Sequence, residues 1–314
     1  MFNIKTMNKI SPVGLDRLPA DGYTVGGGVE NEDAILVRSA KLHDYDFPGA
    51  LWAIARAGAG VNNIPIDRCS EAGIVVFNTP GANANAVKEL VMCAMFLASR
   101  DVIGGAEWVK EQARTPGVDV AAAVEKGKSA FVGPEVYRKT LGVVGLGAIG
   151  ALVANIGLSL GMDVYGYDPY LSVDAALRLD RHIKVVKEMD TVFANADYLT
   201  LHLPYMEATK DTVNAASIAK MKDGVIILNN ARGPLIVEQD LADALNSGKV
   251  YAAGLDVVST EPIRGDNPLL KAKNCLITPH ISWAPKESRQ RLMEIAADNL
   301  RRFLEGSPVN VVNL

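Results

Sequence analysis

Short apolar segments alternate with amphipathic helical stretches along nearly the whole chain. This alternation is typical of strand–helix–strand units, which build parallel sheets, so the pattern predicts the α/β class. The first group of predicted strands comprises Ala34–Arg38, Trp52–Arg56 and Val75–Asn78. The second group comprises Leu141–Val144, Asp163–Tyr167, Tyr198–Leu201, Val225–Asn229, Ala252–Leu255 and Cys275–Thr278.

Two apolar helices, Val87–Arg100 and Glu287–Glu305, flank the second group of strands. A chain of 314 residues also fits two domains better than one core. We therefore expect a discontinuous first domain, residues 1–98 and 284–314, and a second domain, residues 99–283. The charged stretch Gly104–Gly133 has little strand pattern, and we expect it to form an arm or surface helix between the domains.

The segment Leu141–Met162 contains no charged residue, so its length alone would suit a membrane helix. Its glycines favour another interpretation, because Gly145, Gly147 and Gly150 follow an apolar strand at the spacing of a dinucleotide-binding turn. The first permits the tight turn, the second lets the backbone approach a pyrophosphate, and the third lets the next helix pack closely. We predict a nucleotide site here.

Asp168 ends the next predicted strand, about twenty residues after the glycines. A carboxylate at this position accepts hydrogen bonds from the adenosine ribose and repels a 2′-phosphate. The sequence therefore predicts NAD rather than NADP as the cofactor.

The net charge of −4 and the absence of a basic run argue against a nucleic acid or an anionic membrane as partner. The cysteines, Cys69, Cys93 and Cys275, lack the spacing of metal ligands, so we interpret them as reduced structural thiols and predict no metal. The N-terminus lacks the apolar core of a signal peptide, which predicts a cytoplasmic protein.

Three polar residues of the second domain, Arg232, Glu261 and His280, each follow a predicted strand. Taken singly, each is more often an incidental loop residue. Loops after the carboxyl ends of strands converge on the ligand crevice of such a sheet, so these three side chains can meet there. A His with a carboxylate partner can move the proton of a hydroxyl group, while an Arg can hold a carboxylate by two hydrogen bonds.

These three residues, with Asp256-Val257 and Thr278-Pro279-His280-Ile281, resemble the signature of the D-isomer-specific 2-hydroxyacid dehydrogenases. The resemblance implies a Rossmann dinucleotide-binding domain, a discontinuous flavodoxin-like substrate-binding domain, and a homodimer formed through the Rossmann domain. It also implies hydride transfer between NAD and C2 of a hydroxy acid.

In this family His280 would be the general acid/base, Glu261 would pair with it and raise its pKa, and Arg232 would hold the substrate. Asp256 would fix the nicotinamide carboxamide. The formate dehydrogenase branch carries glutamine in place of Glu261, which argues against that branch. The expected cofactor contacts are Gly145, Gly147, Ala148, Ile149, Gly150, Asp168, His202, Pro204, Asn230, Ala231, Arg232, Asp256 and His280.

Within the family, residues 1 to about 225 resemble D-3-phosphoglycerate dehydrogenases, and residues 229–314 resemble glycerate dehydrogenases or hydroxypyruvate reductases. We expect oxidation of 3-phosphoglycerate, a step of serine biosynthesis, by an enzyme without the regulatory serine-binding domain. The alternative is a glycerate dehydrogenase. A more remote one is an NAD-sensing binding protein similar to the C-terminal-binding-protein corepressors.

The preference for the phosphorylated acid depends on cationic residues of the first domain. Arg56, with Arg38 and Lys88 as neighbours, could bind a phosphate. Trp283 argues the other way, because in the glycerate-type pattern it would narrow the pocket. The expected substrate contacts are Arg38, Ser39, Arg56, Ala57, Gly58, Ala59, Gly60, Asn83, Lys88, Arg232, His280 and Trp283.

Overall fold

The computed structural model describes residues 1–8 and 10–313, and the chain divides into two compact units. The first unit comprises Met1–Ala86 and Trp283–Leu314, and the second comprises Val87–Ser282. Each unit contains one sheet whose described strands all pair in parallel, which confirms the predicted α/β class.

The first unit contains a five-stranded sheet of order β2-β1-β3-β4-β5. Its elements are β1 (Phe2–Met7), α1 (Pro12–Leu15), β2 (Tyr23–Gly26), β3 (Ala34–Val37), β4 (Ala53–Arg56), α2 (Ile66–Glu71), β5 (Val75–Phe77) and, after the chain returns, α11 (Lys286–Leu304). The apolar face of α11 packs on this sheet, and Met293 and Leu300 share a core cluster with Leu36. The sequence did not predict β1 or β2, because most of their residues are only partly buried and show no apolar run.

The second unit contains a seven-stranded sheet of order β12-β11-β10-β9-β6-β7-β8. Its helices are α3 (Ala84–Ser99), which begins in the first unit, then α4 (Val102–Arg114), α5 (Val120–Gly127), α6 (Gly150–Ser159), α7 (Val173–Ala176), α8 (Met189–Asn195), α9 (Ala215–Lys220) and α10 (Glu238–Ser247). Its strands are β6 (Thr140–Val144), β7 (Asp163–Tyr167), β8 (Lys184–Val186), β9 (Tyr198–Leu201), β10 (Val225–Asn229), β11 (Val250–Leu255) and β12 (Cys275–Ile277). The sequence missed β8, a three-residue edge strand with two exposed residues.

The boundary between the units lies at 86/87 rather than at the predicted 98/99. Most of α3 belongs to the second unit because its apolar face, including Val91 and Met95, is buried in a cluster with Leu141 and Leu228. The apolar period of the helix predicted burial but did not show which sheet the helix would cover.

The charged stretch predicted as an arm forms α4, α5 and the 3-10 helix Lys128–Phe131, and none of these elements has a buried residue. Trp108 of α4 contacts the ring of Phe131, with 5.5 Å between centroids. The charge-free segment Leu141–Met162 divides between β6 and α6, and no helix within the described residues is long and apolar enough to cross a membrane.

The strand order of the second unit reverses at β6, which lies between β7 and β9. Ligands of doubly wound sheets bind outside the carboxyl ends of the strands at such a reversal. The residues that directly follow the strand ends are Gly145 after β6, Asp168 after β7, His202 after β9, Asn230 after β10, Asp256 after β11 and Thr278 after β12.

Candidate active site

The glycine loop after β6 has the geometry of a phosphate cradle. Gly145 has φ +95°, and a Cβ there would lie 2.7 Å from the carbonyl oxygen of His202. A Cβ on Gly150 would lie 1.8 Å from the carbonyl oxygen of Gly145, whereas a Cβ on Gly147 would meet nothing within 4 Å. The first and third glycines are thus required by packing, and the second leaves the backbone open. This open backbone at the start of the ten-residue helix α6 fits a pyrophosphate group.

Asp168 is half-buried, and its carboxylate supports the same loop. Its Oδ2 accepts from the backbone N–H of Leu146 at 2.9 Å, and its Oδ1 accepts from that of Tyr170 at 2.9 Å. Each oxygen can accept a further hydrogen bond, because an ionised carboxylate offers about four acceptor positions. The carboxylate can therefore fix the glycine loop and accept from ribose hydroxyls at the same time.

His280 and Glu261 form a close pair, with 2.7 Å between Nδ1 and Oε2. Both side chains are about 40% exposed, at 43% and 40%. The carboxylate can only accept, so a neutral His280 ring donates Nδ1–H to it and presents its Nε2 away from the pair. The backbone of His280 is left-handed, with φ +53°, and its N–H donates to the carbonyl oxygens of Asp256 and Thr278, each at 2.9 Å.

Arg232 lies in a loop whose backbone is held by the side chain of Asn229. The Asn229 amide donates to the carbonyl oxygen of Arg232 at 2.8 Å and accepts from the N–H of Ala231 at 3.0 Å. Burial lowers the pKa of Arg232, and the negative charge of Glu261 acts in the opposite direction. Arg232 is therefore a half-buried cation whose charge interacts with the carboxylate of the His280 pair, so the structure brings the three predicted catalytic residues together.

Asp256 contacts the loop that carries His280 rather than presenting an unoccupied acceptor. Its Oδ1 accepts from the Thr278 hydroxyl at 2.6 Å and from the N–H of Ile281 at 2.8 Å. Its Oδ2 accepts from the N–H of Ser282 at 2.8 Å and from the Ser282 hydroxyl. These donors fill the acceptor positions of the carboxylate, which is 1% exposed. This geometry shows that Asp256 fixes the His280 loop, and its expected contact with the nicotinamide carboxamide stays a prediction.

His202 and Pro204 follow β9. The His202 Nε2 lies 3.0 Å from the Thr200 hydroxyl, and its Nδ1 is buried with no partner in the described part of the chain. Burial lowers the pKa of His202 to about 3, so the ring is neutral at physiological pH. The carbonyl oxygen of Pro204 accepts from the Thr209 hydroxyl at 2.6 Å.

Most of the expected substrate contacts lie in the first unit, and several of them are close together. The guanidinium of Arg38 lies 4.9 Å from the ring centroid of Trp283, and Arg56 Nε donates to the carbonyl oxygen of Arg38 at 3.2 Å. Arg38, Ala57 and Trp283 also line a cavity of about 20 Å³, which is room for one water molecule. Ser39, Gly58, Ala59, Gly60 and Asn83 are in this unit as well, whereas Lys88, Arg232 and His280 belong to the second.

Sequence reasoning missed two residues that hold the site together. Ser282 completes the set of donors to Asp256. Glu238 accepts from the N–H of Ser259 at 2.7 Å and from the Asn267 amide at 2.9 Å, which fixes both ends of the loop containing Glu261. Each contact joins residues more than twenty positions apart, so no local spacing could reveal it.

Residues 92–282 match the family "D-isomer specific 2-hydroxyacid dehydrogenase, NAD binding domain". The match confirms the predicted resemblance and the predicted NAD cofactor.

Among curated proteins, the chain is 60% identical to a hydroxypyruvate reductase of Blautia hydrogenotrophica over 179 residues, which cover 57% of this chain and 54% of that protein. It is 38% identical to a D-3-phosphoglycerate dehydrogenase of Archaeoglobus fulgidus over 290 residues, covering 91% of this chain and 52% of that protein. The matches thus span about half the length of these two relatives.

Among solved structures, a glyoxylate reductase from Paecilomyes thermophila superimposes with a TM-score of 0.78 at 28% identity. The superposition covers 99% of this chain and 98% of the other.

Proposed function

The chain belongs to the D-isomer specific 2-hydroxyacid dehydrogenase family, and from this premise we propose that it is an NAD-dependent oxidoreductase that interconverts hydroxypyruvate and D-glycerate. The observation that supports the chemistry is the pairing of His280 with Glu261 at 2.7 Å, beside the cationic Arg232. NADH, when bound, supplies the hydride that reduces the keto carbon.

The three side chains have separate roles in proton transfer and in binding the substrate. The imidazolium of His280 donates a proton from Nε2 to the keto oxygen as the alcohol forms, and in oxidation the neutral ring accepts that proton. Glu261 orients the ring and stabilises its charged form through the Nδ1 hydrogen bond. Arg232 holds the substrate carboxylate through its planar pair of N–H donors.

The choice of substrate follows the identity to relatives. The sequence alone favoured 3-phosphoglycerate, but the 60% identity to a hydroxypyruvate reductase supports the unphosphorylated acid better than 38% identity supports the phosphorylated one. Phosphohydroxypyruvate remains the second candidate, because Arg38 and Arg56 place two cationic side chains in one part of the first unit. We further propose a homodimer, and a cytoplasmic location.

The deciding experiment is a side-by-side measurement of kcat/KM for hydroxypyruvate and 3-phosphohydroxypyruvate with NADH. We expect the higher value for hydroxypyruvate. A higher value for the phosphorylated acid would support the second candidate. NADH binding without turnover of either acid would instead indicate a binding protein.

A further inference from the structure

The strand β5 is an edge of the first sheet, and the segment that follows α11 covers this edge. Val311 pairs with Phe77 in an antiparallel bridge, and the N–H of Val312 donates to the carbonyl oxygen of Val76 at 2.8 Å. The side chain of Asn313 accepts from the N–H of Val76 at 2.6 Å. The segment therefore runs along β5 and reaches the loop that follows this strand.

Two asparagines, Asn299 of α11 and Asn310 of the following segment, hold the backbone of Asn78 at the start of this loop. The N–H of Asn78 donates to the carbonyl oxygen of Asn310 at 3.3 Å, and the carbonyl oxygen of Asn78 accepts from Nδ2 of Asn299 at 2.8 Å. Asn299 is 1% exposed, and its Oδ1 accepts from Nδ2 of Asn310 at 2.9 Å. A backbone carbonyl oxygen can only accept, so the orientation of the Asn299 amide is fixed.

Asn78 in turn holds the glycine-rich loop that is predicted to contact the substrate. Its Nδ2 donates to the carbonyl oxygen of Ala59 at 2.8 Å, and the N–H of the neighbouring Thr79 donates to the carbonyl oxygen of Gly58 at 3.1 Å. The carbonyl and the N–H of one planar trans peptide point in opposite directions. Because the carbonyl oxygens of Gly58 and Ala59 face Asn78 and Thr79, the N–H groups of Ala59 and Gly60 point away from them.

These two N–H groups are able to bind a ligand. Neither of them donates to another group in the part of the chain that the structure describes. Ala59 is exposed and Gly60 is half-buried, so a small molecule can reach both. Successive backbone N–H groups that point outward form a site for anions, and the carboxylate of a keto acid is such an anion. The direction of both donors depends on the contacts that Asn78 and Thr79 make with the loop.

We propose that Asn78 is a positioning residue for the substrate, because its amide holds the loop in the conformation that presents the N–H groups of Ala59 and Gly60 to the keto-acid carboxylate. Asn299 and Asn310 support Asn78 from α11 and the segment after it. The proposal rests on the keto-acid reduction proposed above. Without the Asn78 amide the loop would adopt this conformation only part of the time, and the apparent affinity for the acid would fall by that fraction. The bound acid would select the same conformation, so kcat would change little.

The test separates KM from kcat. Steady-state kinetics are measured at saturating NADH with hydroxypyruvate, or with 3-phosphohydroxypyruvate if the wild type turns that acid over better. Asn78→Ala and the isosteric Asn78→Asp both lack the N–H donor to Ala59. We expect each to raise KM about 5-fold or more, as for the loss of one hydrogen bond, while kcat stays within about 2-fold. Asn299→Ala should raise KM about 2-fold, and combining it with Asn78→Ala should raise KM by less than the product of the single changes, because both act on one loop.

Asn313→Ala is the matched control, because Asn313 belongs to the same segment but holds the other end of β5, through the N–H of Val76 and the carbonyl oxygen of Ile74. It should lower the free energy of unfolding and leave KM unchanged. An unchanged KM in Asn78→Ala or Asn78→Asp, or an equal rise of KM in Asn313→Ala, would overturn the proposal and leave the proposed function standing. A wild type that turns over neither acid would overturn the proposed function and this proposal together.

Discussion

At the scale of single residues, His280 combines a left-handed backbone with a side chain held by Glu261. Replacing His280 with Asn removes the acid/base group without adding backbone strain, because Asn adopts this backbone conformation more readily than most residues. We expect His280→Asn to lower kcat by about 10²–10⁴-fold, the usual contribution of a positioned acid/base, while the dissociation constant of NADH changes little.

His182 provides the control for this substitution. Its Nδ1 lies 2.7 Å from the Asp180 carboxylate in an exposed pair that resembles the His280–Glu261 pair but is outside the site. His182→Asn should leave kcat unchanged. Near-wild-type turnover in His280→Asn would exclude His280 as the acid/base.

His202 makes folding stability depend on pH. Its pKa is about 3 in the folded protein and has the ordinary value of 6.5 when unfolded, so only the unfolded state gains a proton between these values. Its contribution to stability is complete above pH 6.5 and is lost as the pH falls toward 3. At pH 5 the loss amounts to about 2 kcal/mol.

Urea unfolding at pH 7.5 and pH 5 measures this effect. We expect His202→Gln to flatten the decline in the free energy of unfolding relative to the wild type, whereas His182→Gln, at an exposed position, should not. Equal pH dependence in the wild type and His202→Gln would contradict the assignment.

The residues of the site differ in how far sequence could predict them. Arg232, Glu261 and His280 follow strands, and their residue types suit proton transfer, so position and chemistry agree. The partners of Asp256 could not be found in this way, because they depend on the left-handed turn at His280. The sequence shows that Asp256 carries a charge, but it does not show which hydrogen-bond donors contact the carboxylate.

At the scale of elements, Gly233 joins the Arg232 loop to the segment leading to Glu261. A Cβ at this position would lie 2.0 Å from the backbone carbon of Val258 and 2.4 Å from the backbone nitrogen of Ser259. Gly233→Ala must therefore push two backbone segments apart. We expect a loss of about 1–3 kcal/mol in the free energy of unfolding, and a fall in kcat/KM of about 10-fold or more as Arg232 and Glu261 separate.

Gly265 offers the matched control in a neighbouring loop, because a Cβ there would meet nothing within 4 Å. Gly265→Ala should change neither the stability nor kcat/KM appreciably. If Gly233→Ala behaved like Gly265→Ala, the close approach of the two segments would not matter for the site.

The sequence predicted the buried strands more accurately than the exposed ones. The central strands β6, β9 and β10 are buried at every residue except the first of β6, and they were placed within one residue. The strands β1, β2 and β8 were missed because polar or exposed positions interrupt their apolar pattern. An apolar run predicts a strand that is buried on both faces, whereas few residues of β1, β2 and β8 are buried.

At the scale of the whole molecule, sequence predicted a discontinuous first domain around a nucleotide-binding second one, but it misplaced the first boundary by twelve residues. The helix α3 continues without a break through that boundary. An apolar helix face can cover either of two sheets, and only tertiary packing decides between them. The later boundary lies after Ser282, where the fixed loop of His280 ends, and differs from the prediction by one residue.

The proposed homodimer can be tested on α4, whose residues are all unburied. Val102, Ile103 and Val109 are 55%, 50% and 40% exposed, so one short helix presents three branched apolar side chains to solvent. Exposed apolar patches of this kind mark interfaces in soluble proteins. We expect sedimentation equilibrium to show a dimer for the wild type and a shift toward monomer for Ile103→Glu and Val109→Glu.

The control Val173→Glu, at a 76% exposed position outside this helix, should remain dimeric. A monomeric wild type would refute the dimer, and dimeric Ile103→Glu and Val109→Glu variants would show that the interface does not include α4.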